Sequence, residues 1–272
     1  MTFSIVGRDG DAYGVAVASK FLGVGAAVPA AAAGVGAVAT QAYANLSYRP
    51  RGLQLLAAGS SSASVVEQLT GADAEREHRQ LGVVSASGGA TYTGSACLDW
   101  AGGRCGDDFA VQGNILTGED VAAAMEQAWT AAAGSPLGQR LLAALAAGDQ
   151  AGGDRRGRQS AALLVARPGA GYGGDDMEID LRVDDHDDPV RELQRLHDLH
   201  RVYFSPPDPA TLLPLTGDVA DEARRLLAGL GHHDDDLEAS LAAWAAAANF
   251  EMRLRPGQLD PVVLDQLRAG RR

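Results

Sequence analysis

The residue whose type and position most directly carry chemistry is Thr2. Methionine aminopeptidases remove Met1 when the next residue is small, and Thr qualifies. Thr2 would then hold a free α-amine, a base whose ordinary pKa is about 7.7–8.0, beside its own hydroxyl. Amine and hydroxyl on one residue form a self-contained base and nucleophile. Taken alone, a Thr here reads more simply as the start of a strand.

The setting raises Thr2 above that. Lys20 is the single Lys among 23 basic residues, the rest being Arg. Lys offers a compact ammonium that can give up its proton, which Arg does not. Residues 2–7 read as a strand, 8–11 as a turn and 12–19 as the antiparallel partner, because Asp9-Gly10 is a strong hairpin signal. If Asp9, Gly10 and Asp11 form a three-residue loop, Thr2 lies opposite Ala18 and Lys20 stands diagonal to it on the same face. If the loop has two residues, that face carries Ser19 instead. Either register brings Ser19-Lys20 beside Thr2, where an ammonium would favour the nucleophilic form.

Further along, Gln112-Gly113-Asn114 ends a strand ahead of a capped helix. Asn114 can donate to an oxyanion or serve as ordinary turn chemistry, with Gln112 beside it as a substrate contact. Arg155 and Arg156 can grip a substrate carboxylate through paired N–H groups, or pair with surface acids. Other motifs carry less. Gly169-Ala170-Gly171-Tyr172-Gly173-Gly174 resembles a GxGxxG loop, but Asp175-Asp176 follows and would repel a phosphate. No Walker A loop, GxSxG elbow or HExxH exists. The acidic runs 184–188 and 232–236 lack a recognised ligand spacing and read as solvated turns. His197 and His200, three apart on one helix, could pair on a metal, but their place near the helix C-terminus suits partial positive charge and reads as structural. No metal and no cofactor is expected. His78, Cys97 and Cys105 read as structural.

The elements that must position these residues follow from pattern. Strands are expected over 35–40, 81–85, 90–93, 109–112, 160–166 and 178–183. Helices are expected over 51–58, 62–70, 121–133, 137–147 and 189–204. Hairpins dominate and βαβ alternation is lacking, so the fold class is α+β, with mostly antiparallel sheets and helices packed outside. Ser205-Pro206-Pro207-Asp208-Pro209 then forms a stiff break. Helices over 219–227, 237–248 and 261–267 make a small second domain. Formal net charge is −12, which argues against nucleic acid as a partner. No apolar run is long enough for a membrane span. The start lacks a secretory pattern, so the expected address is the cytoplasm.

A resemblance joins these readings. The runs 1–6, 14–21, 34–42, 76–82, 111–116 and 152–157 resemble an uncharacterised bacterial family of unknown function. That family is similar in fold to the N-terminal-nucleophile (Ntn) hydrolases and proteasome subunits. It implies a four-layer αββα sandwich over residues 1–204, ahead of the Pro-rich linker read over 205–218. By the same likeness Ser160 would contact the Thr2 amine. The acidic residue that positions the proteasome lysine corresponds to Ala18 here, and Asp154 would supply the missing carboxylate. Residues 219–272 resemble a peptidoglycan-binding domain. The resemblance implies an amidohydrolase acting on a small-molecule or peptide amide, with Thr2 as nucleophile. The alternative is a non-catalytic scaffold whose C-terminal module binds peptidoglycan or a protein partner. Exposed strand edges imply a homo-oligomer.

Overall fold

The computed structural model describes residues 2–271; Met1, and with it the removal that would expose Thr2, and Arg272 lie outside the described residues. The chain divides into two compact units between His197 and Asp198.

In the first unit, β1 (Thr2–Asp9) and β2 (Ala12–Ser19) form the expected hairpin. Asp9 pairs with Ala12, so the loop has two residues, and Gly10 takes φ 58 at the first of them, as a type II′ turn asks. Elements α1 (Val24–Ala27) and β3 (Pro29–Ala32) follow, then β4 (Gly36–Ala42), α2 (Tyr48–Ala57) and α3 (Ser62–Gly71). Next come β5 (Arg79–Ser85), β6 (Gly88–Thr93), β7 (Gly102–Cys105) and β8 (Phe109–Asn114). The unit closes with α4 (Asp120–Ala131), α5 (Leu137–Gln150), β9 (Ser160–Ala166), β10 (Met177–Val183) and the start of α6 (Pro189–Phe204). The short elements α1, β3 and β7 were not expected. Their Gly- and Ala-rich sequences show neither a helical nor a strand period.

Two antiparallel sheets result, one ordered β10-β9-β2-β1-β8-β7 and the other β3-β4-β5-β6. Strand alternation sorts the side chains. Phe3, Ile5, Ala16, Ala18, Val111 and Leu163 pack on Met125, Trp129, Leu141 and Leu145 of α4 and α5. Val38, Leu81 and Val83 pack on Tyr48, Leu56, Val65 and Leu69 of α2 and α3. The opposite faces meet each other through Val6, Val15, Val17 and Ala110 from one sheet and Ala37, Ala39 and Val84 from the other. Among the described residues, no helix is long and apolar enough to cross a membrane.

The second unit takes the end of α6, then α7 (Gly217–Gly229), α8 (Leu237–Ala248), α9 (Pro261–Arg268) and the two-residue strands β11 (Leu213–Pro214) and β12 (Gln258–Leu259). The last turns of α6 bring Val202 and Tyr203 into this core. Trp244 and Phe250 stack at its centre, with rings 5.3 Å apart and 3° from parallel. The buried Arg253 guanidinium donates to Asp260 at 2.6 Å and to the carbonyls of Arg201 and Val202 at the end of α6. Asp260 in turn caps α9 through the Val262 N–H.

Between the sheets, Gly82 leaves room that another residue would fill. A Cβ there would stand 2.1 Å from Gln112 Oε1. Gly82→Ala is therefore expected to destabilise the first unit by about 1–3 kcal/mol through overpacking. Urea denaturation followed by tryptophan fluorescence measures this, and an unchanged midpoint would contradict the close approach.

Candidate active site

Residues Thr2, Ser4, Val6 and their neighbours on the same face point into the layer between the sheets. The layer is aliphatic around Val6 and Val17 and becomes polar toward the end where β1 begins. There the register places Asn114, Thr2, Ser19 and Ser160 in one row across four strands. Thr2 pairs with Asn114, and Ser19 with Ser160. Thr2 follows the register Phe3–Ala18 and so faces Ser19, its Oγ1 standing 3.1 Å from Ser19 Oγ. All four are buried, Thr2 at 6% exposure.

Amides hold this row. Gln41 Nε2 donates to the Thr2 carbonyl at 3.1 Å, to Gln80 Oε1 at 2.8 Å and to the Gln112 carbonyl at 3.2 Å. Asn114 Nδ2 donates to Gln80 Oε1 at 3.0 Å and reaches the Thr2 carbonyl at 3.5 Å. Ser4 Oγ donates to Gln41 Oε1 and accepts from Gln112 Nε2, both at 2.6 Å. Gln80 Nε2 donates to Thr93 Oγ1 and to the carbonyls of Gly102 and Gly113. Sequence reasoning named Gln112 and Asn114 but missed Ser4, Gln41 and Gln80. The available signal was a polar amide inside an otherwise apolar strand.

The other expected residues gather differently. With a two-residue loop, Lys20 does not share the face of Thr2. It is exposed, and its ammonium donates to the Arg158 carbonyl at 3.1 Å. Its backbone N–H donates to Asp154 Oδ2 at 2.8 Å, while Asp154 Oδ1 accepts from the Arg156 N–H at 2.8 Å. Arg156 Nη2 reaches the Lys20 carbonyl at 3.0 Å. Asp154 and Arg156 thus fasten the turn after β2. Ser160 does the same, donating to the Phe21 carbonyl and accepting from the Val24 N–H at 3.1 Å. Arg155 is exposed, and its backbone N–H donates to the Ile115 carbonyl at 3.3 Å. A cavity of about 210 Å³ lies beside this turn, lined by Ser19 and Asp154 together with Phe3, Ala18, Asp149 and Arg158.

Backbone strain falls at the same place. Ala42 and Ile115 have φ of 65° and 50°. They directly follow Gln41 and Asn114, the two residues whose amides reach Thr2. A β-branched residue at positive φ is uncommon and costs on the order of 1–2 kcal/mol. Among the described residues, no three His, Cys, Asp or Glu side chains gather as a metal-binding group.

Residues 2–193 match the family model described as "Family of unknown function (DUF1028)". This chain belongs to the DUF1028 family. A solved structure agrees: protein SPO2555 from Silicibacter pomeroyi, titled with the same family, is 32% identical and superposes with a TM-score of 0.66. The match covers 81% of this chain and 92% of that one. Residues 203–267 match a second model, described as "Putative peptidoglycan binding domain". A search of curated proteins returns no match.

At the same end of the DUF1028 domain, Asp73 anchors the exit of β4 and the entry to β5. It accepts from Asn45 Nδ2 at 2.9 Å, Tyr48 Oη at 2.8 Å, Arg79 Nε at 3.0 Å and the Glu75 N–H at 2.9 Å. Burial alone would raise its pKa, but these hydrogen bonds outweigh burial and hold it well below the usual carboxylate range. Burial, with the bond to Asp73, pushes the Tyr48 hydroxyl up. A depressed carboxyl contributes stability above its unfolded pKa of about 3.9 and loses it as pH falls through the folded value. Asp73→Asn should therefore be clearly less stable than the parent at pH 7, with the gap narrowing toward pH 3. Urea midpoints across that range test this, and a gap independent of pH would refute it.

Proposed function

We propose that this DUF1028 domain is an Ntn-type amidohydrolase with Thr2, freed by loss of Met1, as nucleophile. What carries the reading is the seat of Thr2. Its hydroxyl stands 3.1 Å from that of Ser19 at the head of a central strand, and the Gln41 and Asn114 amides fix its carbonyl. Two helix-backed sheets meeting face to face are consistent with the αββα sandwich of Ntn hydrolases. The two non-Gly residues at positive φ beside Thr2 add support, since such strain tends to collect at active sites.

In this mechanism the Thr2 amine takes the proton from Oγ1 as the oxygen attacks the amide carbon. The same amine then protonates the departing nitrogen, and water releases the acyl group from the Thr2 ester. Ser19 orients the hydroxyl. Asn114 and Gln41 position Thr2, their donors being committed to Gln80 and to backbone carbonyls. Lys20 lies outside the proton path, because its ammonium is directed to the Arg158 carbonyl. Asp154 and Ser160 hold the turn after β2.

Intact-mass measurement of the purified full chain should show loss of Met1. An electrophilic acyl probe should label Thr2, and Thr2→Ala should lower labelling at least about a thousandfold with an unchanged melting temperature. Labelled protein that keeps Met1 would overturn the mechanism.

The match over residues 203–267 favours a second, compatible activity, binding of peptidoglycan by the second unit. The full chain should co-sediment with purified sacculi, and Thr2→Ala should co-sediment equally. Recovery only in the supernatant would remove that activity.

A further inference from the structure

Six large apolar side chains of the first unit are exposed among its described residues, and five lie in loops at the end where β1 begins. Phe21 and Leu22, 52% and 65% exposed, follow Ser19 after β2. Tyr43, 76% exposed, and Leu46 follow Gln41 after β4, and Leu98, 66% exposed, follows β6. Only Tyr172 stands elsewhere. Scattered exposed apolar residues need no account, but a cluster around one site does. These loops are tied to the Thr2 row. The Leu98 carbonyl accepts from the Ile115 N–H at 2.9 Å, directly after Asn114, and the Phe21 carbonyl accepts from Ser160. Tyr43 is held in place: Arg79 donates to its carbonyl at 2.6 Å and lies 5.5 Å from its ring.

The same end carries several exposed cations, Lys20, Arg155, Arg156 and Arg158 among them, in a chain of net charge −12. The Lys20 ammonium and the Arg155 guanidinium form no ion pair with a carboxylate among the described residues. Lys20 follows Ser19, which touches Thr2. Arg155 is bonded through its backbone to Ile115, which follows the strand partner of Thr2. Apolar loops and unpaired cations therefore follow the strand ends that carry this hydroxyl.

Resting on the nucleophile reading above, the geometry points to an N-acylated amino acid as the substrate class. The acyl chain lies against Phe21, Leu22, Tyr43 and Leu98, and the carboxylate meets Lys20 and Arg155. Thr2 Oγ1 bonds to the acyl carbon, the carbon–nitrogen bond breaks, and the Thr2 proton leaves on the amino acid nitrogen. Water then splits the ester, releasing a carboxylic acid and restoring the hydroxyl.

Calorimetry on full-length Thr2→Ala tests recognition apart from turnover. N-octanoylglycine should bind about tenfold more tightly, or better, than N-acetylglycine, as burial of even a few methylenes gives. It should also bind more tightly than octanamide. In the same background, Phe21→Ser with Leu98→Ser should erase the first preference, and Lys20→Gln with Arg155→Gln the second. Equal binding of all three ligands overturns the inference. So does a dimer that Phe21→Ser with Leu98→Ser separates, with the octanoyl preference intact, because the apolar loops would then serve a second copy. Glycine release from N-octanoylglycine by the unsubstituted protein is followed in parallel. Preferential binding without release would defeat the nucleophile reading alone, and release without preference would defeat the substrate class alone.

Discussion

Two sheets that meet face to face need an end to the layer between them, and here that layer ends in amides rather than aliphatic side chains. A buried amide left without partners costs about 1–3 kcal/mol for each orphaned group. Gln41, Gln80, Gln112 and Asn114 therefore lock one another. Gln41 alone joins β4 to the carbonyls of Thr2 on β1 and Gln112 on β8, and to Gln80 on β5. Among the described residues Gln112 Oε1 is a fully buried atom of this group without a partner, and it is the atom a Cβ on Gly82 would meet. Such a network admits one register and little sliding. The placement of Thr2 to within a hydrogen bond of Ser19 is a consequence of that lock.

Much of this was legible in sequence, and the misses have particular causes. The first hairpin could be read because Asp9-Gly10 is a local signal and the flanking residues alternate. The strand around Leu81 could be read from its hairpin turn at Ser87-Gly88-Gly89, and the strand around Leu163 from its unbroken apolar run. The register of the first hairpin was left between two loop lengths, and that single residue decided whether Lys20 or Ser19 would face Thr2. Gln41 and Gln80 were silent because, Thr93 across the β5–β6 hairpin aside, their partners lie 22 to 71 residues away, mostly on strands whose pairing no local pattern encodes. β7 was missed because Gly102-Gly103 has no side chains to alternate. Its glycines are required by contact, as a Cβ on Gly103 would fall 2.7 Å from Thr91 Oγ1.

Lys20 teaches a narrower lesson about composition. Being the single Lys drew attention to it, and the chain does bring it next to Ser19. Position along the chain is nevertheless not position in space. One step past the end of β2 the backbone turns, its N–H captured by Asp154 and its ammonium directed to the Arg158 carbonyl at the surface. An exposed ammonium bonded to a carbonyl is heavily screened and tunes a buried hydroxyl little. It is well placed, however, to meet a charge arriving from solvent.

The polar end of the inter-sheet layer is hard to explain by stability. Replacing hydrogen-bonded buried partners with apolar groups of like shape is often neutral or favourable, and the aliphatic half of this same layer, around Val6, Val15 and Val17, already works that way. The polar half also tolerates Ile115 and Ala42 at positive φ, where an extended or helical residue would be less strained. Asp73 then braces the adjoining loop with four hydrogen bonds, so the strain is held rather than relaxed. Amides, strain and a hydroxyl pair gathered at the head of one central strand, under loops that expose apolar side chains, make sense when that end has chemistry to perform.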